Sequence, residues 1–196
     1  MTDKKFSDLL ARHLVSDAQM EKVYADPEPL SYADRMTKQT EVGALFLQKN
    51  MLKEAVECFY HAFRENPKDF WVNNYLGAIA MEANDPASSN YFLNNCLEEA
   101  PHDWIFKPMV LTNFASCQFK LGYFNGAEES LEEAIKLNPE LDKPYYMKAV
   151  HNMYLNRPNA ALSEARRGLE MTPDSFTLRR LELSILEVIQ NQKRDK

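Results

Sequence analysis

"KLGYFNGAEESLEEAIKLNPE", residues 120–140, decides how the rest of the 196-residue chain is read. Gly122, Asn125 and Gly126 are turn chemistry, since Gly and Asn tolerate backbone angles that other residues resist. Ala127, Leu131 and Ala134 then recur every three or four residues, the period of one helix face. Pro139 closes the segment, because proline cannot continue the backbone ladder of a helix.

Outward from this stretch the same ending recurs. "YHAFRENP" ends at Pro67, "NNCLEEAP" at Pro101, "EEAIKLNP" at Pro139 and "ARRGLEMTP" at Pro173, spaced by 34, 38 and 34 residues. Small residues keep register with the prolines: Gly43, Ala55 and Ala62; Gly77, Ser89 and Cys96; Ala115, Ala127 and Ala134; Ala149, Ala161 and Gly168. Large apolar residues fill the places between them, as Phe46 with Phe59, Leu76 with Leu93, Phe114 with Leu131 and Tyr145 with Leu169. Small against large at fixed offsets is the packing of paired antiparallel helices. A short polar turn such as "EANDPAS" or "LNRPNA" separates the two helices of each unit.

The 34-residue period and the G…A…A…P skeleton resemble the tetratricopeptide repeat over residues 36–173. The resemblance implies an all-α fold, an α-solenoid of four helix-turn-helix units at 36–69, 70–103, 108–141 and 142–173, with a short insertion at 104–107. Ser89 and Gly168 depart from the family's usual alanines. After Pro173, Leu178, Leu181, Ile185, Val188 and Ile189 share one helical face, with Asp174 or Ser175 placed to cap its start, so residues 174–196 read as a C-terminal capping helix. Residues 1–35, with Ser7, Ser16 and Ser31 as helix starts, read as an N-terminal helical extension. With five glycines and no Ser/Gly linker, the whole chain is expected to pack as one body.

Composition narrows the function. A net charge of −6, from 23 basic and 29 acidic residues, argues against a nucleic-acid surface. No stretch approaches 18 uninterrupted apolar residues, so membrane insertion is not expected. Cys58, Cys96 and Cys117 lack a short pairing spacing and read as buried free thiols of a cytoplasmic protein. His13, His61, His102 and His151 are scattered, and no nucleophile, phosphate-loop or zinc motif is present. Cys58 with His61 is half a metal site without a second half, and the run Glu128, Glu129, Glu132 and Glu133 reads as a solvated helix face. No catalytic residue, metal or cofactor is therefore assigned.

Function must then reside in a surface that binds another protein. In tetratricopeptide repeats the first helix of every unit lines the concave side. Carried onto this sequence, the inward places are Thr37, Thr40, Ala44 and Leu47 in unit one, and Trp71, Asn74, Tyr75, Ala78 and Met81 in unit two. Unit three contributes Met109, Thr112, Asn113, Ser116 and Phe119; unit four contributes Lys143, Tyr146, Met147, Val150, Met153 and Tyr154. This set is rich in Met and aromatic residues and poor in charge, which suits an apolar or amphipathic peptide or helix, unless part of it is core. The family's clamp for chaperone carboxylates finds only Asn113 and Lys143 in suitable places, with Met147 where an arginine would stand. Units two and three are also similar to pilotin-like proteins of type IV pilus assembly, though no N-terminal lipobox is present, and "LVSDAQMEKVYA" is similar to the first helix of type III secretion chaperones. The resemblance thus implies a non-catalytic adaptor, with a bacterial secretion or pilus-assembly factor as the alternative.

The 38-residue spacing places one extra helical turn at the junction "HDWIFK". Trp104, Ile105 and Phe106 there either plug the space the insertion opens or add a second apolar contact beside the groove.

Overall fold

The structure is a computed structural model that describes residues 38–194. The expected N-terminal extension and Thr37 lie outside the described residues. Within them every regular element is an α-helix: α1 (Lys38–Gln48), α2 (Leu52–Glu65), α3 (Phe70–Glu82), α4 (Pro86–Glu99), α5 (Lys107–Leu121), α6 (Phe124–Leu137), α7 (Asp142–Tyr154), α8 (Pro158–Met171) and α9 (Phe176–Arg194). Helices α1/α2, α3/α4, α5/α6 and α7/α8 form four hairpins, each packed within itself.

The chain divides into two compact units between Ala100 and Pro101. At the junction α4 ends at Glu99, just before Pro101, and residues 101–106 form the turns and connection that lead into α5. In the first unit α1 packs on α2, α2 on α3 and α1 on α3; in the second α6 packs on α7, α8 on α9, and both α5 and α9 on α7.

One backbone device turns every hairpin. Asn50 (φ 57°), Asn84 (φ 55°), Gly122 (φ 81°) and Asn156 (φ 55°) are left-handed, and they repeat in the same register as the closing prolines. The residue after each donates its N–H back across the helix end: Met51 to the Phe46 carbonyl (2.9 Å), Asp85 to Ala80 (2.9 Å), Tyr123 to Gln118 (2.8 Å) and Arg157 to Asn152 (2.8 Å). This is the 6→1 bond that satisfies carbonyls orphaned at a helix end. Asp69 caps α3 by accepting from the N–H groups of Trp71 (2.9 Å) and Val72 (3.2 Å), and Asp85 caps α4 by accepting from Ser88 (3.1 Å). At α9 it is Ser175, not Asp174, that accepts the Leu178 N–H, at 3.3 Å.

Close approach within the hairpins depends on missing side chains. A Cβ on Gly43 would stand 2.7 Å from the Phe59 ring, and one on Gly168 would stand 2.8 Å from Tyr145 Cβ. The first unit's core gathers Val42, Phe46, Phe59, Val72 and Leu76, with Tyr75 stacked on Phe59 at 4.6 Å between centroids. The second unit is cored by Ala115, Ala127 and Leu131, by Ile135, Tyr145 and Leu178, and by Ala149, Ala161, Ala165 and Ile185. Each fully buried Leu, Ile or Phe contributes about 1.5–3 kcal/mol relative to exposure, so these clusters decide the packing.

Candidate functional site

The residues expected to face a ligand divide sharply by burial. In the first unit Thr40, Ala44 and Trp71 are buried, while Leu47, Asn74, Tyr75, Ala78 and Met81 are half-buried. Tyr75 is held flat against Phe59, so its ring belongs to the core contact rather than to open surface. In the second unit Thr112 is fully buried and donates its hydroxyl to the Pro108 carbonyl at 2.7 Å, one turn back. Thr40, Ala44, Trp71 and Thr112 therefore offer almost no surface to an incoming segment, because small residues and ring faces at these places pack against neighbouring helices.

The open part lies on α5 and α7. Helical spacing puts Met109, Asn113 and Ser116 on one face of α5, and Lys143, Tyr146, Met147, Val150 and Tyr154 on one face of α7. Lys143 Nζ donates to Asn113 Oδ1 at 2.8 Å, which ties the two faces together. Around that pair Met109 is 43% exposed, Val150 40% and Tyr154 80%. Ser116, Phe119, Tyr146, Met147 and Met153 are half-buried beneath them; Phe119 and Met147 pack on the Ala115–Leu131 cluster, and Met153 packs on the Ala149–Ile185 cluster. At the junction, Trp104 and Phe106 are half-buried with rings edge to face at 6.0 Å, while Ile105 is 78% exposed one turn before Met109.

A second constellation escaped the sequence reading. Lys148, only 6% exposed, lies in α7 among carboxylates from both flanking helices: Glu132 in direct contact, Glu164 at 3.1 Å and Glu128 at 3.6 Å. Arg167 grips Glu132 with two parallel bonds of 3.0 and 3.1 Å. That grip, joined by Lys148 and opposed by burial, lowers the Glu132 carboxyl to about 2. Burial disfavours the Lys148 ammonium, but Glu132 and Glu164 outweigh it and its pKa rises. The acidic run is thus not simply a solvated face, since Glu133 also pairs with Lys107 at 3.2 Å. The only sequence signal was the even 16-residue spacing of Glu132, Lys148 and Glu164.

Beside this network is a cleft of about 430 Å³ bordered by Phe124, Asn125, Glu128, His151, Asn152, Leu155 and Arg157. His151 is stacked between Phe119 (4.3 Å) and Phe124 (5.2 Å). Burial pushes the Cys58 thiol up to about 11, with Glu57 and Glu54 adding to it, and pushes Cys96 up to about 12, with Asp69 adding to it, so neither is a ready nucleophile. Cys58 is buried and His61 exposed on the same helix. Among the described residues no three His, Cys, Asp or Glu side chains gather to hold a metal ion, and no helix is long and apolar enough to cross a membrane.

Comparison with known proteins bears on the fold. Residues 110–141, which hold α6 and most of α5, match the family model of the tetratricopeptide repeat (TPR). This is a tetratricopeptide-repeat fold. The TPR protein YrrB, described as having an unusual peptide-binding site, is similar over 91% of this chain and 84% of its own, with 18% identity and a TM-score of 0.66. The APC/C hetero-tetramer Cut9–Hcn1 matches 76% of the chain at 16% identity and a TM-score of 0.66, and this chain spans only 29% of that larger one. The first TPR of Spaghetti (RPAP3), bound to the HSP90 peptide SRMEEVD, matches 63% of this chain and 97% of its own, at 21% identity and a TM-score of 0.53.

Proposed function

We propose that this TPR chain is a non-catalytic protein-binding module whose α5/α7 face takes a short apolar or amphipathic segment of another protein. The carrying observation is the Lys143–Asn113 pair, exposed and flanked by Met109, Val150 and Tyr154. Lys143 keeps two N–H donors and Asn113 its amide donors for a peptide backbone or carboxylate, while the apolar side chains supply the area that drives association. That YrrB and the Spaghetti TPR take peptides on the same fold supports the reading.

The test is peptide selection on the purified chain, followed by fluorescence polarisation with the best binder. Tyr154→Ser and Lys143→Ala are each expected to weaken it about tenfold or more, the loss of one central contact. Tyr91→Ser, on an exposed tyrosine of α4, is expected to leave affinity unchanged. Equal effects from all three, or no peptide selected, would overturn the proposal.

A further inference from the structure

Extended one step beyond the four hairpins, the small-residue register meets a large residue instead. Gly43, Gly77, Ala115 and Ala149 are all buried, each where the first helix of a hairpin meets the second. One more step of 34 residues from Ala149 reaches Leu183 in α9, a large residue that is 61% exposed. The opposite face of α9, through Leu178, Leu181, Ile185 and Ile189, is already used against the core.

The outer stripe of α9 runs Phe176, Arg180, Leu183, Glu187 and Gln190 at steps of three and four. Phe176 is 75% exposed. Neighbouring charges are taken: Arg179 donates to the Pro173 carbonyl, and Glu182 accepts from Arg166 at 2.7 Å. Arg180 and Glu187 form no side-chain ion pair with any described residue, and two helical turns, about 10 Å, keep them from each other.

That pattern is complementary to itself in one orientation only. If two α9 helices lie antiparallel about a two-fold axis beside Leu183, Arg180 faces the partner's Glu187, and Glu187 faces the partner's Arg180. Leu183 meets its own copy, and Phe176 lies over the stretch around Gln190. A parallel pair would instead set Arg180 against Arg180 and Glu187 against Glu187, a repulsive arrangement. We propose that the outer face of α9 is a self-association surface whose occupant is a second copy of this chain, paired antiparallel through Leu183 and two Arg180–Glu187 contacts. One helix face about 28 Å long is a small interface, so the dimer forms reversibly and with concentration.

Sedimentation equilibrium of the full chain over a wide concentration range tests this. The unaltered chain is expected to move from one-chain to two-chain mass as concentration rises. R180E and E187R each place like charges across the axis and are expected to weaken self-association at least tenfold. An equimolar mixture of the two variants regains both contacts and is expected to dimerise. As a second readout that leaves the charges untouched, Leu183→Cys is expected to be joined to its copy by a short bismaleimide, since the three native thiols are buried. The proposal is overturned if the chain stays monomeric throughout, if R180E dimerises as the unaltered chain does, if the mixture stays monomeric, or if Leu183→Cys fails to crosslink at dimer-forming concentration.

Discussion

Asn50 holds a left-handed backbone at φ 57° with no Cβ-free freedom to ease it, and Asn84 and Asn156 do the same. Asparagine tolerates this region better than other residues with a β-carbon, and glycine better still. Asn50→Ala is therefore expected to lower stability by about 1 kcal/mol, read as a fall of about 2–4 °C in Tm, whereas Asn50→Gly should cost nothing. Thermal unfolding by circular dichroism distinguishes them. At this scale the turn residues were legible in the sequence as Asn and Gly between periodic segments. The burial of individual groove candidates was not, because Thr40, Trp71 and Thr112 differ from Asn113 or Val150 only in which neighbour stands over them. Helical periodicity names a face and is silent on its cover.

Lys148 makes α7 an electrostatic link between α6 and α8. The carboxyl of Glu132 drops from 4.5 in the unfolded chain to about 2 in the fold, so its contribution is full above about pH 4.5 and is lost as pH falls toward 2. The Lys148 pKa is raised above its ordinary 10.5, so its contribution is full below that value and is lost as pH rises through the folded one. Because Glu132 is nearly half exposed, the acid limb is expected to be shallow. Lys148→Met should cost about 1–3 kcal/mol at neutral pH, leaving three carboxylates to rehydrate, and should flatten both limbs in urea titrations run across pH. The pairing was hidden in the sequence because Glu132 and Glu164 lie sixteen residues to either side of Lys148, beyond any reach along a single helix.

At the scale of the molecule each compact unit has buried clusters of its own: the Val42–Phe92 cluster lies before the Ala100/Pro101 division, and the clusters around Ala115, Tyr145 and Ala149 lie after it. Leu76→Ala and Leu131→Ala, both at fully buried sites, should each cost about 2–5 kcal/mol. Hydrogen exchange should then show loss of protection confined to residues 38–100 for the first and to 101–194 for the second. Loss spread evenly over both would mean a single cooperative unit. The proline spacing revealed four hairpins and where the period slips. It did not reveal the division, because a count of residues between stops says nothing of how packing is distributed along the chain.

The slip has a practical use. His102 and Asp103 are exposed in the connection between Pro101 and Lys107, after one hairpin has closed and before the next begins. The chain already accommodates an extra turn's length there with the left-handed turn residues undisturbed on either side. A fluorescent-protein loop, an epitope tag or a protease recognition sequence grafted between His102 and Asp103 lengthens a place that is already long. That peptide bond is the natural port for reporters and for controlled cleavage of this protein in cells.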